Sequence, residues 1–170
     1  AGYSEDDLYT KGFKIYTTID SRMQAYAEEA MQEHMRDQQK KFYQHWKGRN
    51  PWVGEVGNTG RYAEIPKFIE KMAKRTGYYQ ELKREFGDNE TEIMAAMNKK
   101  MPMRVFTWEG ERDTLMSHMD SLRHYKRFLN MGMLAMDPRN GHIKAWVGGI
   151  NYKYFKYDHV AQGSRQPGST

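Results

Sequence analysis

The sequence predicts an α+β chain in which helices alternate with short antiparallel hairpins. Three observations carry this reading. Apolar residues recur at helical spacing from Met23 to Met35, and again in short runs between Ile65 and Met97. Two stretches, around 103–116 and 133–147, read as strands on both sides of a turn signal: Met103–Trp108 and His142–Val147 alternate, and Met133–Met136 is a short apolar run. Gly48 to Gly60, "GRNPWVGEVGNTG", gathers proline and glycine, and reads as a boundary loop without regular structure.

In chain order, Phe13, Ile15, Thr17 and Ile19 alternate with Lys14, Tyr16 and Thr18, the pattern of a half-buried strand. Asp20 or Ser21 caps the helix that follows. Met23, Tyr26, Ala27, Ala30, Met31, His34 and Met35 fall on one face of it, and the stripe runs on through Phe42 to Trp46. Beyond the boundary loop, Ile65, Phe68, Ile69 and Met72 share a face, with Pro66 suited to a first turn and Gly77 to a stop. Tyr78, Tyr79, Leu82 and Phe86 form a second short helix ended by Gly87, and Asp88 to Thr91 offer caps for a third carrying Ile93, Met94 and Met97. Met103–Trp108 and Arg112–Met116 read as strands joined by Glu109-Gly110-Glu111. Ser117 and Asp120 make a short-armed capping box for a helix through Met119, Leu122, Tyr125 and Leu129 to Gly132.

The totals bound the function. The 170 residues are 38% hydrophobic and 29% charged, so any core is thin and leans on methionine and half-polar aromatics. A net charge of +5 favours anionic partners, but the longest basic runs are lysine pairs, Lys40-Lys41 and Lys99-Lys100, which read as solvated surface. With no cysteine, disulfides and thiolate metal sites are excluded. No apolar run is long enough to cross a bilayer. Ala1-Gly2, without an initiator methionine, reads as the start of an excised segment.

The last stretch carries the sharpest signal. Met133 to Met136 and His142 to Val147 flank Asp137-Pro138-Arg139-Asn140-Gly141, where Pro138 presets φ and Asn-Gly tolerates positive φ. Ile143, Ala145 and Val147 face one way, and Lys144 and Trp146 the other. Arg165-Gln166-Pro167-Gly168-Ser169-Thr170 then forms a loop that could open a helix at Ser169. On spacing alone, that serine is a turn residue or helix cap. Taken in order, however, "FKIYTTID" before an amphipathic helix, the hairpin "MLAMDPRNGHIKAWVGG" and the segment "DHVAQGSRQPGST" resemble the class A penicillin-binding proteins up to the start of their transpeptidase domain.

That resemblance implies a fragment of a bifunctional peptidoglycan glycosyltransferase/transpeptidase. Residues 1–47 would be a linker strand and long helix, 48–116 a small inserted subdomain, and 117–170 the N-terminal edge of the transpeptidase fold. It assigns Ser169 as the acyl-accepting nucleophile. The family's lysine follows three positions later, so the fragment alone is expected to be inactive. The resemblance also implies a membrane anchor and glycosyltransferase upstream, and a location at the bacterial inner membrane with this region on the periplasmic side. Its partners would be peptidoglycan stem peptides and glycan strands, β-lactams for the intact parent, and a regulatory protein at the inserted subdomain. No cofactor, metal or nucleic acid is expected.

Other features have plainer readings. Glu109, Glu111 and Asp113 cluster near a hairpin tip, where paired carboxylates could act on a sugar but more simply keep a turn soluble. His34, His45, His118, His124, His142 and His159 make no metal-ligand spacing. Gly54-Glu55-Val56-Gly57 distantly resembles the backbone clamp of KH domains, but Glu55 would repel phosphate. Tyr152 to Tyr157 interleaves tyrosine, phenylalanine and lysine, a pattern that could stack bases but here reads as scaffold. The alternative functions are therefore a non-catalytic module that binds a partner protein or peptidoglycan, and a nucleic-acid-binding module.

Overall fold

A computed structural model describes residues 9–164. The chain divides into two compact units, one formed by residues 1–33 with 130–170, the other by residues 34–129. Helices are interspersed with antiparallel strand pairs, an α+β architecture.

Helix α1, Ser21–His45, begins in the first unit. Asp20 starts it by accepting the main-chain N–H groups of Arg22 (2.9 Å) and Met23 (3.2 Å) on Oδ1. Those two bonds hold the Asp20 carboxyl below its ordinary range. Only one i, i+4 row of α1 is buried: Ala27, Met31, Met35 and Gln39. Met23 and Tyr26 of the broader expected stripe are exposed, as are Ala30 and His34. A helix that meets neighbours along one narrow line buries a row, not an arc.

In the same unit, β5 (Met133–Met136) and β6 (Ile143–Val147) pair antiparallel, with a bulge between Ala135 and Met136. Ala145 and Val147 are buried on one face, as the alternation predicted. Strand β6 starts one residue later than expected. His142 stays in the turn, with its C=O accepting the Asp137 N–H and its N–H donated to Asn140 Oδ1, both 2.9 Å. Gly141, at φ +72°, closes that turn by donating to the Asp137 C=O (2.9 Å).

Residues 13–19 do not form the expected strand; they are exposed and irregular. The free edge of β6 gives the reason. Near it, Thr18 Oγ1 donates to Ile143 O (2.8 Å) and Asp20 N–H to Lys144 O (3.0 Å). The next main-chain groups, those of Trp146, are already taken by the Gln24 side chain: Trp146 N–H donates to Oε1 (2.8 Å), and Nε2 donates to Trp146 O (3.0 Å). No length of edge is left for a ladder.

In the unit of residues 34–129, Gly48 to Gly60 is not a plain loop. β1 (Val53–Glu55) pairs with β2 (Tyr62–Glu64) in a small hairpin. Its glycines shape the turn: Gly57, Asn58 and Gly60 all have positive φ, and Glu55 Oε1 accepts the Gly60 N–H (2.8 Å). Helices α2 (Phe68–Ala73), α3 (Gly77–Phe86) and α4 (Glu90–Asn98) follow. Pro66 lies in the turn before α2. Gly77 begins α3 instead of ending α2, because Thr76 Oγ1 accepts the Tyr79 N–H (3.2 Å) and caps the helix there. Gly87 ends α3 at φ +63°, as predicted.

Strands β3 (Met101–Thr107) and β4 (Gly110–Met116) pair along their whole length. The pairing of Thr107 with Gly110 leaves Trp108-Glu109 as the turn, one residue earlier than the expected Glu109-Gly110-Glu111. Helix α5 (His118–Tyr125) opens on the predicted capping box. Ser117 Oγ accepts the Asp120 N–H (3.1 Å), and Asp120 Oδ2 accepts the Ser117 N–H (3.2 Å). It ends at Tyr125, short of Gly132, and Phe128 beyond it turns inward.

The core of this unit gathers Trp52, Ile69, Ala73, Tyr79, Leu82, Ile93, Met97 and Met119, with Trp52 stacked on Phe68 at 5.6 Å. It does lean on methionine and aromatics. Beside α5, Phe106 and Phe128 meet at 5.4 Å between centroids. The chain after α5 is held by Gln39, a polar residue 1% exposed: Nε2 donates to Arg127 O (2.8 Å), and Oε1 accepts the Leu129 N–H (2.8 Å).

Gln39→Ala strands that carbonyl and amide and leaves a cavity, so unfolding in denaturant should show a loss on the order of 2–4 kcal/mol. Ser117→Ala removes one side of the capping box and should cost about 1 kcal/mol in the same measurement.

Candidate functional site

The most elaborated local structure in the first unit is the return of the chain after β6. Gly148-Gly149 ends the strand, and residues 152–154 form a turn that sends the chain back toward it. Asp158 then docks on the hairpin. Its Oδ2 accepts the Trp146 indole N–H (2.9 Å), while Oδ1 accepts the main-chain N–H groups of Val160 (2.8 Å) and Ala161 (3.0 Å). The His159 N–H reaches the Gly148 O (2.7 Å).

Asp158 also caps the single turn that follows. The Gln162 N–H donates to Asp158 O (2.8 Å), and the Asp158 N–H donates to Gln162 Oε1 (3.1 Å). Two glycines make room for this docking. A Cβ on Gly148 would lie 2.7 Å from the Asp158 carboxyl carbon, and one on Gly132 would lie 2.9 Å from the His159 carbonyl carbon. The N–H of Ala161, followed by the Trp146 indole and the Val160 N–H, holds the Asp158 carboxyl below its ordinary range. A cleft of about 440 Å³ runs beside it, bounded by Trp146, Phe155, Asp158, Glu28 and Gln32.

The segment anchored this way leads toward Ser169, which itself lies outside the described residues, as do the other residues of 165–170. Tyr152 to Tyr157 supply the turn and part of the cleft, with Lys156 Nζ 4.0 Å from the Tyr152 ring centroid.

The remaining candidates are not brought together. Asp113 is engaged by Arg104 across β3 and β4 (2.8 and 2.9 Å), and this pairing lowers its pKa. Glu109 sits in the turn and Glu111 in β4, both exposed. His118 stacks on Tyr78 at 3.8 Å, and its burial pushes the imidazole below the usual value. His124 Nε2 lies 2.8 Å from Phe106 O, the distance of a donated hydrogen bond. Gly54 is paired in β1, so the resemblance to a backbone clamp has no loop to stand on. Among the described residues, no three His, Asp or Glu side chains are placed to hold a metal ion.

Sequence reasoning missed Asp158. The available signal was an Asp followed four residues later by Gln162, a cap pattern, together with a distant glycine pair. It also missed the grooves of residues 34–129. One of about 710 Å³ is walled by Trp46, Tyr62, Arg49, Glu64 and Arg127, and smaller ones of about 270 and 360 Å³ open beside it.

A family model for the penicillin-binding protein middle domain matches residues 47–129. Penicillin-binding protein 1A of Rickettsia bellii is 25% identical over 98% of the chain and 22% of its own length. Together these similarities support the reading of the chain as a fragment of a class A penicillin-binding protein. Penicillin-binding protein 1A of Neisseria flavescens is 27% identical over 97% of the chain and 23% of its own length. Penicillin-binding protein 2D of Bacillus subtilis is 43% identical over 42 residues, which are 25% of the chain and 6% of that protein. The chain thus spans about a fifth of the length of its penicillin-binding protein 1A relatives. No solved structure matches it.

Gly148→Ala should push the Asp158 carboxyl away, shifting the Trp146 indole N–H resonance and speeding amide exchange at Val160 and Ala161. The depressed pKa of Asp158 sets a pH dependence. The docking is favoured above the ordinary carboxylate value of 3.8 and is lost as pH falls through the lower value of the docked group. In wild type, slow exchange at Val160 and Ala161 should therefore persist from neutral pH to below that ordinary value, and Asp158→Asn should abolish the transition.

Proposed function

We propose that this chain is part of a peptidoglycan-synthesising enzyme that cross-links stem peptides by serine acyl transfer, with Ser169 as the nucleophile. The similarity of nearly the whole chain to penicillin-binding protein 1A, with the middle-domain match over residues 47–129, is the observation that carries this reading. The docking of Asp158 supports it by tying the segment that leads to Ser169 onto the hairpin. In this reading residues 1–47 are an irregular linker segment and the long helix, 48–116 an inserted subdomain, and 117–170 the beginning of the transpeptidase domain.

A serine hydroxyl is a poor nucleophile at neutral pH and needs a base within reach. A lysine one helical turn beyond Ser169, past residue 170, would take the proton as Oγ attacks the penultimate D-Ala carbonyl of a stem peptide. The resulting oxyanion is held by the Ser169 N–H and by a donor from a later strand. The terminal D-Ala leaves with a proton, and the amine of a neighbouring stem peptide then releases the acyl group. β-Lactams would acylate the same oxygen. A glycosyltransferase and membrane anchor upstream, with this region on the periplasmic side of the inner membrane, complete the proposal. Among the described residues, no helix is long and apolar enough to cross a membrane.

A second reading gives residues 48–116 a non-catalytic role, docking a regulatory protein or peptidoglycan. The groove to which Arg49, Tyr62 and Glu64 contribute favours it.

Labelled penicillin should modify the intact parent at Ser169, and Ser169→Ala should reduce labelling by roughly a thousandfold or more. The 170-residue chain, which does not include the base, should remain unlabelled. Labelling that survives Ser169→Ala, or covalent labelling of Ser169 in the short chain, would count against the mechanism.

A further inference from the structure

Three grooves of the 34–129 unit share the side chain of Arg127. Its guanidinium lies 5.7 Å from the Trp52 ring centroid and donates to Asn50 Oδ1 (3.0 Å). Arg49 lies 5.2 Å from the Trp46 ring centroid and donates to His45 O (2.9 Å). These partners are neutral. Among the described residues, neither guanidinium is ion-paired, in contrast to Arg104, Arg123 and Arg139. Two cations are thus positioned by rings and amides, with no carboxylate in direct ion-pair contact among the described residues.

Aromatic side chains line the same grooves. Tyr43 and Trp46, near the end of α1, line the groove of about 270 Å³, and Trp46 and Tyr62 line that of about 710 Å³. Glu64 faces that groove as well, with Oε1 held by Asn50 Nδ2 (2.9 Å) and the Trp52 indole N–H (3.3 Å). Asp120 lines the neighbouring groove beside Arg123. The lining therefore offers ring faces, fixed cations and fixed acceptors together.

We infer that this surface binds a carboxylate-bearing glycan strand. Ring faces carry partial negative charge and attract the C–H faces of sugars. Unpaired guanidinium groups suit carboxylates, which they can engage bidentately. Glu64 and Asp120 are acceptors for sugar hydroxyls, and this is what disfavours a polyphosphate. A strand with a charge on every residue would be repelled by both carboxylates, whereas a glycan with sparse carboxylates need not pass close to either. The choice of glycan rests on the cell-wall reading of the parent; the chemistry of the groove does not.

The test uses the 170-residue chain and a soluble muramyl oligosaccharide with free lactyl carboxylates, followed by tryptophan fluorescence and amide chemical shifts. Saturable, salt-weakened binding is expected, with shifts at Arg49, Tyr62 and Arg127. Arg49→Glu should weaken it about tenfold or more, and Tyr62→Ala should also weaken it. The same oligosaccharide with its carboxylates amidated should bind several-fold less tightly. Both altered side chains are exposed, and an unchanged thermal transition checks that the fold is retained. The inference is overturned by absence of saturable binding, by undiminished affinity in both variants, or by tighter binding of an acidic peptide or a single-stranded oligonucleotide. Penicillin labelling of the parent is independent of these readings, so failure of acyl transfer and failure of glycan binding are separately visible.

Discussion

A carboxamide presents an N–H donor and a C=O acceptor side by side, at nearly the spacing of a peptide group, and helix α1 uses one twice. Gln24 pairs with both main-chain groups of Trp146, and Gln39 pairs with the carbonyl of Arg127 and the amide of Leu129. Each glutamine satisfies backbone that has no strand beside it. Burying these groups unpaired would cost more than the hydrogen bonds return when made, so the pairing constrains the position of the chain more strongly than it adds stability. Gln39 is as deeply buried as Ile93 or Met97, and an apolar residue of the same size could not replace it.

What these pairings fix is different in the two units. Around Trp146, the backbone is held on the strand edge while the indole N–H points to Asp158. The carboxylate collects donors from the indole and from its own following turn, and Gly148 makes room for it. Around Arg127, the backbone carbonyl is taken by Gln39 while the guanidinium is left to Asn50 and the Trp52 ring. In both cases a main-chain constraint aims a neighbouring side chain.

Much of this was legible in the sequence wherever the signal is local. The caps at Asp20, Asn89 and Ser117 act within one turn, and the alternation of Ile143, Ala145 and Val147 needs only the period of a strand. Expectations failed where the outcome depends on a distant competitor. Residues 13–19 have strand alternation, but Gln24 occupies the edge they would need. The glycines of 48–60 read as breakers, yet their positive φ supplies the turn of a hairpin. Gly77 read as a stop because glycine often ends helices, but Thr76 beside it is the stronger local cap. Asp158 was missed because Trp146, the partner that docks it on the hairpin, lies on another element. Ser169 drew its assignment from family resemblance, since a serine after proline and glycine has no local feature of its own.

The hairpin of β5 and β6 is finished on one side only. Gln24, Thr18 and Asp20 occupy the margin of β6, whereas β5 has β6 as its sole strand neighbour among the described residues, and Leu134 and Met136 stand in solvent. An uncovered strand bearing apolar side chains is a template for self-association. This margin is one place where copies of the chain can pair edge to edge, and Leu134→Lys would put a charge there that opposes it.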